Sequence, residues 1–323
     1  MSSALWIAAP GVAELRREPE PAPDTAAGRE VLVETGWSGI SRGTERLVFR
    51  GRVPAQEWER MRAPLQAGGF GFPVKYGYAA VGRAVTGPAD LAGRWVFVLH
   101  PHQDRFAAPA ALCLPLPEGL EPRRATLAAN METALNVVWD AGVGPCDRVA
   151  VVGAGVVGAL AAWLAGRIPG VAATLVDVNP ERAGLAARLG VGFALPEAAP
   201  QDCDVVIHAS GTGSGLATAL AAAGEEALVV EASWHGEGTT PAPLGGAFHS
   251  RRLRLASSQV GRVPPARAPR WTNRRRLAAA LELLRAPELG ALISGETDFA
   301  DLPERYGAIL DDPATLCHVV RYR

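Results

Sequence analysis

Residues 148–158 read Arg-Val-Ala-Val-Val-Gly-Ala-Gly-Val-Val-Gly, an apolar run that ends in a glycine-rich turn. The β-branched stretch predicts a buried strand over 148–152, and the small apolar residues that follow predict a helix over 156–167. Between a strand and a helix, the spacing of Gly153, Gly155 and Gly158 is what a dinucleotide pyrophosphate requires. The first glycine permits the tight turn, the second lets backbone approach the phosphates, and the third lets helix and strand pack closely. Val156 and Val157 fall in the first helical turn, where amide N–H groups lack intrahelical acceptors and favour an anion.

A second apolar strand over 171–178 carries Asp177, about twenty residues past Gly158, where a carboxylate can bind ribose hydroxyls. Asp177 favours NAD, since its charge would repel a 2′-phosphate; Arg182 is close enough in sequence to leave NADP open. A methyltransferase binding S-adenosylmethionine would use a similar turn and acidic residue. The alternation then continues through a helix over 180–189, with Asn179 as cap and Pro180 in its first position. Strands over 204–209 and 227–232 flank an Ala-rich helix over 216–223, and 252–257 is a candidate last strand. This is the pattern of an α/β, doubly wound parallel sheet.

Working outward, the preceding residues are rich in Gly and Pro, with short β-like runs at 31–35 and 95–98, as in a β-rich unit. Beyond the sheet come a Pro/Arg-rich loop, a helix over about 273–285, and a run over 317–322 that could rejoin the first domain. The expected division is 1–124, 125–262 for the Rossmann domain, and 263–323 for the return.

With 48% hydrophobic and 20% charged residues, the chain reads as an ordinary globular protein. A net charge of −1 and 6% aromatic residues argue against nucleic acid held by phosphate neutralisation or base stacking. No stretch approaches the ~20 apolar residues of a membrane span, and Met1–Trp6 lacks the form of a secretion signal, so a cytoplasmic protein without a membrane partner is expected. Cys113, Cys146, Cys203 and Cys317 lie far apart, which predicts buried free thiols rather than disulfides or a zinc ribbon.

Three further stretches carry a resemblance: Ser38-Gly-Ile-Ser-Arg-Gly-Thr-Glu45, Gly77-Tyr-Ala-Ala-Val-Gly82, and Thr133-Ala-Leu-Asn before the Rossmann strand. With the fingerprint, the chain resembles the medium-chain dehydrogenase/reductase superfamily over nearly its whole length. That resemblance implies a GroES-like catalytic domain, an active-site cleft between the domains, and commonly a homodimer. Zinc-dependent members place metal ligands at positions corresponding to Ile40-Ser41-Arg42, Tyr78 and Ala129. Ser, Tyr and Ala cannot reproduce a tetrahedral N/S site, and the closely spaced cysteines of a structural zinc lobe are absent. No metal is expected, and the pattern resembles the zinc-independent branch that includes bacteriochlorophyllide dehydrogenase.

Hydride transfer at a carbonyl carbon develops charge on oxygen, so a metal-free site needs a proton donor there. Tyr78 is the first candidate, or else it fills the vacated metal volume. Ser41 and Thr44 could bond substrate or nicotinamide ribose, or satisfy backbone. Glu45 and Glu132 could act as base or orient a neighbour, Thr133 could touch cofactor, and Lys75, the sole lysine, could lower a phenol pKa.

Among the histidines, His208 reads as a satisfied core residue, and His100 and His102 fall short of a metal site. His235 and His249 could line the cleft. The Arg262–Arg276 stretch reads as a solvated basic face, or binds a substrate anion through residues such as Arg274. The leading function is a small-molecule alcohol–ketone oxidoreductase using NAD(H). Reduction of a quinone or enone C=C bond and non-catalytic NAD(H) binding are the alternatives.

Overall fold

The computed structural model describes residues 1–24 and 28–322; Arg323, the last residue of the expected C-terminal return, lies outside them. The chain forms two compact units, Met1–Ala129 with Leu281–Arg323, and Asn130–Ala280.

The second unit is built on a six-stranded parallel sheet. Its order is Gly192–Ala194, Ala172–Val176, Arg148–Val152, Cys203–His208, Ala223–Glu231, Arg254–Ser257. The order reverses direction at Arg148–Val152, which makes a crevice at that strand's carboxyl end, where doubly wound sheets bind ligands. The helix Val156–Ala165 is apolar all round and buried from Gly158 to Trp163, as expected for a helix packed on a sheet interior.

Element bounds moved where turn chemistry intervened. The helix read over 180–189 begins at Arg182. The side chain of Asn179 instead accepts from the Glu181 N–H, and the Arg182 and Ala183 amides bond three residues back, so Pro180 and Glu181 form a tight turn. The strand Gly192–Ala194 is too short to show a period.

Residues 263–280 fall in this second unit, not in the C-terminal return where sequence placed them. The physical reason is Arg276, 1% exposed, on the helix Asn273–Leu283. Its guanidinium bonds the Glu132 carboxylate at 3.1 Å and also reaches the Asn136 side chain and the Val260 carbonyl.

The first unit contains a four-stranded sheet, ordered Val12–Glu18, Ser2–Ala9, Val74–Lys75, Ala67–Gly68. Its seven-stranded sheet runs Ile293–Asp298, Cys317–Arg321, Glu30–Ser41, Ala80–Thr86, Trp95–Val98, Leu114–Pro115, with Arg105–Pro109 also paired to Glu30–Ser41. The C-terminal run does rejoin this unit: Cys317 to Arg321 pair antiparallel with Ser41 to Trp37. Val31, Val33, Val96, Val98 and Phe106 pack in its core. Of the cysteines, Cys146 is exposed, contrary to expectation, and the other three are buried. No helix among the described residues is long and apolar enough to cross a membrane.

Because Arg276 is the buried partner of Glu132, Arg276→Ala strands a carboxylate away from water. The expected cost is about 3–5 kcal/mol of unfolding free energy, read as a lower midpoint in urea denaturation.

Candidate active site

In the second unit the three glycines do separate things. Gly153 has φ +107°, and a Cβ there would lie 2.6 Å from the Ser210 nitrogen. A Cβ at Gly158 would lie 1.9 Å from the Gly153 carbonyl oxygen, whereas one at Gly155 would meet open space. The turn therefore closes tightly behind the backbone and is open in front of it, at the amino terminus of the Val156–Ala165 helix. Asp177, just past its strand, accepts from the Ala154 N–H at 2.7 Å and the Asn179 N–H at 2.8 Å. Its carboxylate is thus fixed against the glycine turn. Arg182 opens the next helix and is half-buried.

The other candidates in this unit divide. Glu132 is taken by Arg276; burial raises its carboxyl pKa and the Arg276 charge opposes that. Of the two expectations for it, base or orienting carboxylate, the pairing shows it holding the Arg276 guanidinium. Thr133 follows it on the helix Ala128–Ala141, half-buried. Arg274 is exposed in the first turn of its helix, and His249 is exposed on the short helix Ala247–Ser250. His235 joins His208 and Glu231 at the carboxyl ends of two neighbouring strands. His208 is the satisfied core histidine that sequence predicted: Nδ1 lies 2.5 Å from Glu231 Oε2, and Nε2 lies 2.6 Å from Ser210 Oγ.

In the first unit, the turn that carries Ser41, Thr44 and Glu45 ends a strand and starts the helix Arg42–Phe49. The Tyr78 phenol lies beside the side chains of Ser41 and Thr44. Burial pushes it up to about 12, the Glu45 charge adds to that, and these two side chains oppose it. Lys75 does not lower this phenol: its ammonium is held by Glu18 at 2.8 Å and Gln103 at 2.9 Å.

Glu45 is the centre of a buried network. Oε1 accepts from the Ser41 N–H at 2.7 Å, and Oε2 accepts from the Tyr306 phenol at 2.6 Å and faces His102 Nε2 at 3.0 Å. His102 Nδ1 lies 2.7 Å from Ser38 Oγ, which lies 2.9 Å from the Tyr322 phenol. One neutral tautomer satisfies the chain: Tyr322 donates to Ser38, Ser38 to Nδ1, and Nε2–H to Glu45.

His102 and Tyr306 were missed as functional residues. The only signal was the His-x-His of residues 100–102, whose two rings serve different ends. His100 stacks on Phe106 with ring centroids 3.6 Å apart and its Nδ1 bonds the Pro101 carbonyl.

No protein-family model matches the chain. D-guloside 3-dehydrogenase of Escherichia coli K12 is 30% identical over 213 residues, covering 61% of this chain and 60% of that protein. The match thus spans about three fifths of the relative's length. Solved structures align over nearly the whole chain. A protein of Sinorhizobium meliloti 1021, assigned as a zinc-binding dehydrogenase and bound to NADP, has TM-score 0.76 at 19% identity, covering 99% of each chain. The alcohol dehydrogenase of Thermus sp. ATN1 has TM-score 0.74 at 19% identity, covering 99% of this chain and 100% of its own. One from E. coli CFT073, described as a short chain alcohol dehydrogenase and complexed with NADH, has TM-score 0.74 at 16% identity over 99% of each chain. The chain therefore shares the fold of these dehydrogenases, a GroES-like β-rich domain with a Rossmann domain.

Two predictions follow from the buried network and its neighbour. Tyr306→Phe leaves a Glu45 lone pair without its donor and should cost about 1–3 kcal/mol, measured by thermal or urea unfolding. Burial holds His100 down at about 3, below the ordinary value of about 6.5. Between those values the unfolded chain binds a proton that the folded chain does not, so stability falls as pH falls through that window. His100→Phe should make the decline shallower, by up to about 1.4 kcal/mol per pH unit.

Proposed function

We propose that this chain is a nicotinamide-dependent oxidoreductase that interconverts a secondary alcohol and a ketone on a small, sugar-like metabolite, with no metal at the Ser41, Tyr78 and Ala129 positions. The observation that carries the reading is the glycine turn with the Asp177 carboxylate locked against it. The residues fit a dinucleotide: the open front at Gly155 admits a pyrophosphate, the first-turn amides of Val156 and Val157 would hold it, and Asp177 would bind the ribose hydroxyls. The cofactor supplies the hydride acceptor or donor. Asp177 favours NAD, and the structural neighbours solved with NADH and with NADP support the cofactor class.

At the reacting oxygen, Tyr78 takes the role of electrophile. With its phenol pushed up to about 12, it stays protonated through the neutral range and can donate to a developing alkoxide. Ser41 and Thr44 hold that hydroxyl in place. Ser41 is in turn tied through its N–H to Glu45, so the Glu45 network positions the donor rather than replacing it. D-guloside 3-dehydrogenase, partial match though it is, supports a polyhydroxylated substrate.

Titrating the protein with NADH and NADPH by fluorescence tests the cofactor, with NADH expected to bind tighter and Asp177→Ala to erase the difference. Turnover with pooled glycosides and polyols, followed by NADH absorbance, tests the reaction. Tyr78→Phe should lower kcat by about 10²–10⁴-fold with NADH affinity unchanged, and an unaltered kcat would remove Tyr78 from the chemistry.

A further inference from the structure

We propose that His208, Glu231 and His235 form a binding site for one divalent transition-metal ion of the zinc class, separate from the positions where zinc-binding relatives of this fold hold theirs. The site is independent of the alcohol-oxidation reading and stands or falls without it. His208 and Glu231 end the adjacent parallel strands Cys203–His208 and Ala223–Glu231, where they are direct register partners. His235 follows on the loop, and its ring lies beside that of His208 with centroids 6.2 Å apart.

Each residue offers one ligand atom, and these atoms all lie within 4.8 Å of one another. Ligands about 2.0–2.1 Å from a tetrahedral ion sit about 3.4 Å apart. His235 Nε2 and Glu231 Oε2 are already 3.3 Å apart. His208 Nδ1 and the same oxygen are at hydrogen-bond distance, 2.5 Å, so an ion replaces that hydrogen bond and opens the pair by under about 1 Å. Two imidazoles and one carboxylate are a ligand set that zinc accepts, leaving a fourth position for water or a ligand oxygen.

What distinguishes the cluster from a chance grouping is the outer layer. Metal-bound histidines donate their second ring N–H to an acceptor that fixes ring and tautomer. His208 Nε2 meets Ser210 Oγ at 2.6 Å, and His235 Nδ1 meets Thr240 Oγ1 at 2.8 Å. The free oxygen of Glu231, Oε1, accepts from the Ser233 N–H at 2.8 Å. With an ion in place of the His208–Glu231 proton, one assignment satisfies these outer groups and gives each of the three inner atoms a lone pair for the ion. Ser210 also abuts the glycine turn, since its nitrogen is what a Cβ on Gly153 would strike. The cluster thus lies beside the glycine turn, at the carboxyl ends of the sheet's strands.

The test uses the full chain, freed of metal with a chelator and then titrated with zinc or cobalt(II). Elemental analysis after dialysis should give one ion per chain, and cobalt should give the intense visible absorption of a four-coordinate site. Glu231→Gln and His235→Ala should each abolish both signals. Thr240→Val, which keeps all three ligands, should weaken zinc binding by about tenfold. Circular dichroism and NADH titration report whether each variant is folded. No bound ion in the wild-type chain, or zinc retained equally by folded Glu231→Gln and His235→Ala proteins, would overturn the site.

Discussion

Glu45 is 0% exposed, and a carboxylate in that position is tolerable only because donors from separate parts of the chain reach it. The Ser41 amide comes from its own turn, His102 from a loop between strands, and the Tyr306 phenol from the helix Leu302–Asp311. Tyr306 is 261 residues away in sequence, so this interaction joins the two chain segments of the first unit. Removing it would leave one buried Glu45 lone pair unfilled and would untie the helix Leu302–Asp311 from the turn that carries Ser41 and Thr44.

The two units meet their polar obligations in different ways. Around Glu45 the solution is a hydrogen-bonded cluster, in which both carboxylate oxygens and both His102 ring nitrogens have partners. Around Gly153 the solution is steric. Two positions are closed to any side chain by backbone at 2.6 and 1.9 Å, and one is left open, so binding capacity there comes from what the chain omits. Arg276 follows the first pattern, with one guanidinium serving Glu132, Asn136 and a backbone carbonyl.

How much could be read beforehand follows from the range of each interaction. The strand, turn and helix of residues 148–165 are local, with period and glycine spacing written side by side, and the structure reproduces them. Asp177 was legible because a parallel strand pair fixes its distance from the turn. Tyr306 was not, since no local period marks a phenol whose partner is so far along the chain. Nor does anything in the arginine run of residues 274–276 distinguish the member that turns inward. The same reason moved the domain seam: the loop and helix of residues 263–280 look like a linker until Arg276 is seen to be anchored. His100 and His102 lie on the loop after Trp95–Val98 and take different neighbours, Phe106 and Glu45, whereas His208 and Glu231, 23 residues apart, are brought together by sheet register.

The strand Cys317–Arg321 lies inside the seven-stranded sheet, between Ile293–Asp298 and Glu30–Ser41. During synthesis on the ribosome, Glu30–Ser41 emerges long before this partner, so the 37–41 end of one edge waits unpaired while the entire parallel-sheet unit is made. The second unit, continuous in sequence, can fold as soon as it emerges. The first cannot be completed until Cys317–Arg321 leaves the tunnel, which makes this interior strand the closing element of that unit's sheet.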